Sequence, residues 1–127
     1  MPIGVYIHTP FCLRKCNYCD FYSLPALPAA CDSYAKHLAV AMSAPFLGER
    51  FVADTLYFGG GTPTVLGERV AGLAEAARGA YSLDEGAQIT VEANPATISP
   101  ELMKSLRRAG VNRLSLEIGR ASCRERV

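Results

Sequence analysis

An α/β fold built on parallel strands is the class this sequence predicts, and three observations predict it. Short β-rich runs alternate with stretches of helical period, and the connections between them are short. The least ordinary residues fall directly after the strands, where parallel α/β folds collect their chemistry.

The elements follow in order. Ile3–His8 (IGVYIH) is rich in β-formers and reads as the first strand. A cysteine-bearing loop comes next, and Ser23–Ala30, with Pro25 and Pro28, reads as a linker. Asp32 or Ser33 is placed to cap a helix that runs to about Ser43 and stops before Pro45. Tyr34, Leu38 and Met42 give that helix one apolar stripe. Thr55–Phe58 is the second strand, closed by a glycine turn, and alanine-rich Glu68–Ala80, with Val70, Leu73 and Ala77 on one face, is the second helix. Gln88–Glu92 is the third strand, ended by Asn94 and Pro95. Ser99 caps a third helix, Pro100 sits in its first turn, Leu102, Leu106 and Ala109 form its buried stripe, and Gly110 stands just past its end. Val111–Ile118 begins a fourth strand.

This β-α-β-α-β-α-β order requires parallel strands joined by right-handed crossovers. It fits either a doubly wound sheet or a segment of an (α/β) barrel. Three to four βα units are roughly half of a barrel of about 250 residues. An open half-barrel would leave an unpaired strand edge, so the chain is expected to be the front part of something larger.

Composition sets the outer limits. Half of the 127 residues are apolar and 20% are charged, which supports a packed core and argues against disorder. Lys and Arg number 13 against 12 Asp and Glu, a net charge of +1, with no basic tract of the kind that binds nucleic acid. The first residues have neither the basic nor the long apolar region of a signal peptide, and no apolar run approaches the ~18 residues of a membrane span. The expected location is the cytoplasm, where thiols stay reduced and clustered cysteines point to metal or catalysis before disulfides.

Cys12, Cys16 and Cys19 place three thiols within eight residues as C-x3-C-x2-C. Disulfides need an even count and a structural zinc needs four ligands. Three thiolates suit a cubane [4Fe-4S] cluster with one iron left open to an outside ligand. The alternative is a zinc site completed by Cys31, although C-x3-C is a poor zinc half-knuckle and two prolines separate Cys31 from the loop. Cys31 otherwise reads as a small buried residue beside its helix cap.

Other residues gather at the same edge. Gly59–Pro63 (GGGTP) follows the second strand, where glycines allow backbone to approach a ligand closely; a plain tight turn explains it equally well. Glu92 ends the third strand, and a solvated carboxylate is its ordinary reading. Tyr6 and His8 lie two apart on one face of the first strand and read as core residues unless the site claims them. His37, mid-helix, reads as surface.

The pattern C-x3-C-x-aromatic-C after a first strand, with Tyr18 at the aromatic position, resembles the signature of the radical S-adenosylmethionine (SAM) superfamily. The resemblance implies a partial (β/α)6 TIM-like barrel. It also implies a [4Fe-4S] cluster on Cys12, Cys16 and Cys19 whose open iron is chelated by the amino and carboxylate groups of SAM. An electron from the cluster then cleaves SAM to methionine and a 5′-deoxyadenosyl radical, with the cofactors carrying the chemistry. Carried onto matching positions, Gly60, Gly61 and Thr62 hold the SAM amino group, Glu92 meets the ribose hydroxyls, Tyr6 and Tyr18 lie at the SAM site, and His8 is a catalytic candidate.

The longer set YIHTPFC, KCNYCDFYS, YFGGGTPT, VEANP and NRLS is similar to the coproporphyrinogen-oxidase-like branch. That branch holds oxygen-independent coproporphyrinogen III oxidases, which act in porphyrin biosynthesis, and heme chaperones, which bind heme and pass it to acceptor proteins. The enzymes typically carry a fourth cysteine two positions after the third, where this chain has Phe21, and an N-terminal extension before the first strand. Both signs, with EANP, favour the chaperones. Implied partners are SAM, heme or porphyrin, heme-acceptor proteins and an electron donor.

The pattern breaks near the end. Glu117 and Gly119 stand where the family has Gly and a SAM-contacting Gln. The last stretch holds Arg120, Arg124 and Arg126 against Glu117 and Glu125. Subtracting these three and two from 13 and 12 leaves ten of each sign, so the tail supplies the whole charge excess. Residues 1–116 therefore read as the radical SAM part and 117–127 as foreign or frameshifted sequence, with Cys123 an incidental thiol; the alternative is a genuine divergent terminus. On this reading the chain lacks the family's heme-binding residues, and it is expected to be inactive and marginally stable alone.

Overall fold

The computed structural model describes residues 3–12, 24–44 and 51–116. Strands β1 (Ile3–Thr9), β4 (Ala53–Gly60), β5 (Gln88–Ala93) and β6 (Arg113–Leu116) form one parallel sheet in the order β1-β4-β5-β6. Helices α1 (Pro28–Ser43), α2 (Arg69–Tyr81) and α3 (Pro100–Arg108) each lie on one crossover. Two short strands, β2 (Phe11–Cys12) and β3 (Leu24–Pro25), pair in parallel beyond the carboxyl end of β1.

The strand order decides between the two architectures that the element order left open. Every crossover steps to the next strand in the same direction, so right-handedness puts all three helices on one face. A doubly wound sheet would reverse direction and cover both faces. This sheet is the wall of a barrel segment.

Burial alternates to match. Ile7, Leu56, Phe58, Ile89, Val91 and Ala93 face the helices, where they pack with Met42 of α1, Val70, Leu73 and Ala77 of α2, and Leu102 and Leu106 of α3. The opposite face carries Tyr6 and His8 of β1, Tyr57 and Gly59 of β4, Thr90 and Glu92 of β5, and Arg113 and Ser115 of β6. Register sets Tyr6 beside Tyr57, Tyr57 beside Thr90, and Thr90 beside Arg113. One face is thus an apolar core and the other a polar wall, as the strand period of two requires.

Several boundaries differ from the sequence expectation. Helix α1 begins at Pro28, with Leu27 at the cap position and no side chain bonding there, so neither Asp32 nor Ser33 is its cap. Proline at a first helical position removes only an N–H that has no intrahelical partner. Asp32 instead pairs across to α2, its Oδ1 lying 2.6 Å from Arg69 Nε. The stretch read as a linker contains β3 and the first turn of α1. The second strand is longer than Thr55–Phe58, running from Ala53 to Gly60. The fourth strand begins at Arg113 and not at Val111, while three local expectations hold. Ser99 Oγ accepts from Leu102 N–H at 3.1 Å, Gly110 takes φ +101° past α3, and His37 is exposed. The expected end of the fourth strand, and the tail 117–127, lie outside the described residues.

Below the sheet, Asn112 ties α3's exit to β5. Its Oδ1 accepts from Ile89 N–H at 2.9 Å and its Nδ2 donates to Ala87 O at 3.0 Å. Core packing and caps differ in size, so their loss should separate cleanly. Leu106→Ala is expected to cost about 2–5 kcal/mol of unfolding free energy. Ser99→Ala should cost about 1 kcal/mol. Urea denaturation midpoints check both.

Candidate functional site

The carboxyl edge of β1 and β4 is fastened by backbone. Gly61 N–H donates to Thr9 O at 2.7 Å and Thr62 N–H donates to Phe11 O at 2.8 Å. Side chains have no room at this seam. A Cβ on Gly60 would come within 2.6 Å of Thr9 O, and its φ of +108° lies where only glycine is at ease. A Cβ on Gly61 would enter the Phe11 carbonyl and stand 2.8 Å from Cys12 Sγ. The glycine run is therefore required by close approach to the start of the cysteine loop, which a plain tight turn would not demand.

The seam narrows how this segment can serve a ligand. The N–H groups of Gly61 and Thr62 are taken by the chain itself, so a charged head group here would meet carbonyl oxygens. A carbonyl lining suits an ammonium and not an anion. Thr62 is buried at 7% exposure, and Cys12, half-buried, closes β2.

Cys12 is the one member of the expected cysteine set among the described residues; Cys16, Tyr18 and Cys19 lie outside them. Among the described residues no three His, Cys, Asp or Glu side chains form a metal site. Cys31 is buried at 1% exposure in the core behind the sheet. Burial pushes its thiol up, Asp32 adds to this, and Arg69 opposes it. A zinc ligand needs a thiolate, so this environment disfavours Cys31 in that role.

The polar wall is an aromatic and carboxylate cluster. Tyr6 is 58% exposed and His8 is also exposed, so neither is the core residue its strand position alone would suggest. The Tyr6 ring stacks on Tyr57, with centroids 5.9 Å apart at 18°. Tyr6 Oη lies 3.5 Å from His8 Nδ1, and Tyr34 Oη donates to the His8 carbonyl. Tyr57 Oη donates to Glu92 Oε2 at 2.7 Å. Gly59 makes the stack possible, because its Cβ would come within 2.8 Å of Tyr6 Oη.

Glu92 sets the electrostatics. Its hydrogen bond is the foremost cause holding the Tyr57 phenol above the ordinary tyrosine value, with burial and the carboxylate charge adding. Burial first, and then the Glu92 charge, does the same to Tyr6. The Tyr57 phenol donates to the carboxylate, and Tyr6 feels its charge without a hydrogen bond to it. Sequence reasoning found Glu92, Tyr6 and His8 but missed Tyr57 and Tyr34. The signal for Tyr57 is its alternation against Leu56 and Phe58, which turns it away from the core.

The family model described as the Radical SAM superfamily matches residues 6–118. The chain belongs to the radical SAM superfamily. It is 39% identical over 120 residues to the heme chaperone HemW of Mycobacterium tuberculosis, covering 91% of this chain and 31% of that protein. It is 34% identical over 119 residues to an oxygen-independent coproporphyrinogen III oxidase of Bradyrhizobium diazoefficiens, covering 91% of this chain and 26% of that protein. The solved structure of coproporphyrinogen III oxidase HemN from Escherichia coli, a radical SAM enzyme, superposes with a TM-score of 0.77 at 30% identity, covering 91% of this chain and 27% of its own. The chain thus spans about a third or less of these relatives' length, with the heme chaperone at 31%.

Radical SAM membership implies a [4Fe-4S] cluster and SAM. The described residues suit these groups in chemical kind: Cys12 offers a thiol against a glycine seam that no Cβ could enter, and Glu92 offers a carboxylate that accepts from a phenol. Among the described residues no helix is long and apolar enough to cross a membrane.

A tyrosine whose folded pKa is raised stabilises the fold below about pH 10, and that contribution is lost as pH rises through the folded value. Unfolding free energy should therefore fall as pH rises above about 10. Tyr57→Phe should flatten that fall, as denaturant titration at a series of pH values would show.

Proposed function

We propose that this chain holds a [4Fe-4S] cluster and SAM within a heme chaperone, a protein that binds heme and passes it to acceptor proteins. The observation that supports the site is the seam itself. Cys12 is pressed against Gly61 at the edge where Glu92 and the two tyrosines converge. Cys12, Cys16 and Cys19 would ligate three irons and leave the fourth open for SAM. When bound, the cluster supplies an electron, and SAM the bond that accepts it.

The protein's own part is to bind, orient and exclude water. Carbonyl oxygens of the Gly60, Gly61 and Thr62 segment accept from the SAM ammonium. Glu92 accepts from the ribose hydroxyls through lone pairs that Tyr57 leaves open. Tyr6 walls the site, and Tyr18 is the further residue that the family pattern assigns to it. His8, exposed beside Tyr6, is the imidazole placed to carry a proton there.

Phe21 supports the chaperone over the oxidase, because the oxidases typically carry another cysteine at that position. The greater identity to HemW leans the same way. The second reading, oxygen-independent coproporphyrinogen III oxidation, is favoured by the likeness to HemN. Under either reading an electron donor is a partner, and the clustered thiols support a cytoplasmic location.

In the complete gene product, loaded with cluster and supplied anaerobically with SAM and a reductant, coproporphyrinogen III should remain unconverted. Heme should bind at about one per chain, a single-site stoichiometry read by absorbance titration. Conversion of coproporphyrinogen III with turnover would replace the chaperone reading with the oxidase.

A further inference from the structure

We infer that Tyr57 is a positioning residue for the SAM ribose site: it fixes the Glu92 carboxylate in one orientation. The inference rests on the reading that Glu92 meets the ribose hydroxyls, and it explains how that carboxylate is aimed before any ligand arrives.

Glu92 lies on β5 and Tyr57 on β4, but the two are not direct partners. Register pairs Tyr57 with Thr90, two residues before Glu92, so the phenol leans along the sheet toward its carboxyl end to reach Glu92 Oε2 at 2.7 Å. Diagonal neighbours at this offset are within reach of aromatic side chains. Such a contact needs a fixed ring, and two features fix it. The Tyr6 ring stacks on it at 5.9 Å, and Gly59 leaves the space beneath both rings that a Cβ, 3.1 Å from Tyr57 Cε1, would crowd.

The consequence is chemical. An unrestrained glutamate samples several rotamers, and a ligand diol would have to select one, at a loss of affinity. A donor on Oε2 removes that freedom and is of the stronger, charge-assisted kind. Oε1 and the second lone pair of Oε2 remain for two hydroxyls. The bond also opposes Tyr57 ionisation, so the phenol stays a donor across the physiological range. Sequence cannot show this pairing, since 35 residues separate the partners.

The test uses the full chain with its cluster reconstituted anaerobically, and reads the dissociation constant of SAM rather than turnover. Tyr57→Phe keeps the ring, its stack on Tyr6 and its volume, so folding is preserved and only the donor is lost. It should weaken SAM about tenfold, the scale of one hydrogen bond to a charged group. Glu92→Gln should weaken SAM at least as much, and the double variant should be no weaker than Glu92→Gln alone, because Tyr57 acts through Glu92. SAM lacking the ribose 2′-hydroxyl should lose affinity in the wild type and lose much less in Tyr57→Phe. A second measurement needs no ligand: Glu92→Gln should bring the Tyr57 phenol titration down toward the ordinary value. Normal SAM affinity in Tyr57→Phe, or additive losses in the double variant, overturns the positioning role while leaving the Glu92 reading intact. Unchanged affinity in Glu92→Gln, or no SAM binding by the loaded wild type, overturns the ribose reading and this inference with it.

Discussion

Two backbone hydrogen bonds, from Gly61 to Thr9 and from Thr62 to Phe11, hold the arrangement together. They join the segment after β4 to the segment that leads from β1 into the cysteine loop. Close contact between two backbones leaves no space for side chains, which is why the run is glycine and why Gly60 adopts a positive φ. Everything with chemistry at this edge is placed relative to that seam. Cys12 is set directly beyond it. Gly59, directly before it, clears the floor under Tyr6 and Tyr57, and Tyr57 in turn holds Glu92.

The seam matters because the sheet has two unlike faces. Helices cover one of them and draw in Leu56, Phe58, Ile89 and Val91, while the other carries phenols, a carboxylate and an imidazole. A parallel sheet with one polar face is what the inner wall of an incomplete barrel requires when a polar ligand fills its mouth. The phenols and the carboxylate support one another there. Glu92 raises the Tyr57 phenol chiefly through their hydrogen bond, and adds to the burial that raises Tyr6.

Much of this was legible from local pattern. Alternation of strand and helix periods gave the parallel α/β class, and Ser99, Pro100 and Gly110 marked the ends of α3 because caps depend on near neighbours. Glu92 and the glycine run stood out by falling after strands. What failed to show depended on distant contacts. Asp32 looks like a helix cap, yet it is held by Arg69, 37 residues away, while Pro28 starts the helix. Tyr6 looked like a core tyrosine until the sheet revealed that its face lies opposite the helices. The glycine segment stood out as one that could approach a ligand, but that the Gly61 and Thr62 amides close a seam onto Thr9 and Phe11 was not visible locally. The choice between barrel segment and doubly wound sheet needed the strand order, which local signals do not carry.

The central proposal is that Cys12, Cys16 and Cys19 hold a cluster with one iron left open for SAM. The most direct measurement is the electron paramagnetic resonance spectrum of the reduced, anaerobically reconstituted chain, recorded with and without SAM. A cluster with an open iron should give a [4Fe-4S] signal whose g-values shift when SAM is added. A signal indifferent to SAM, or a protein that takes up zinc and forms no cluster, would contradict the account.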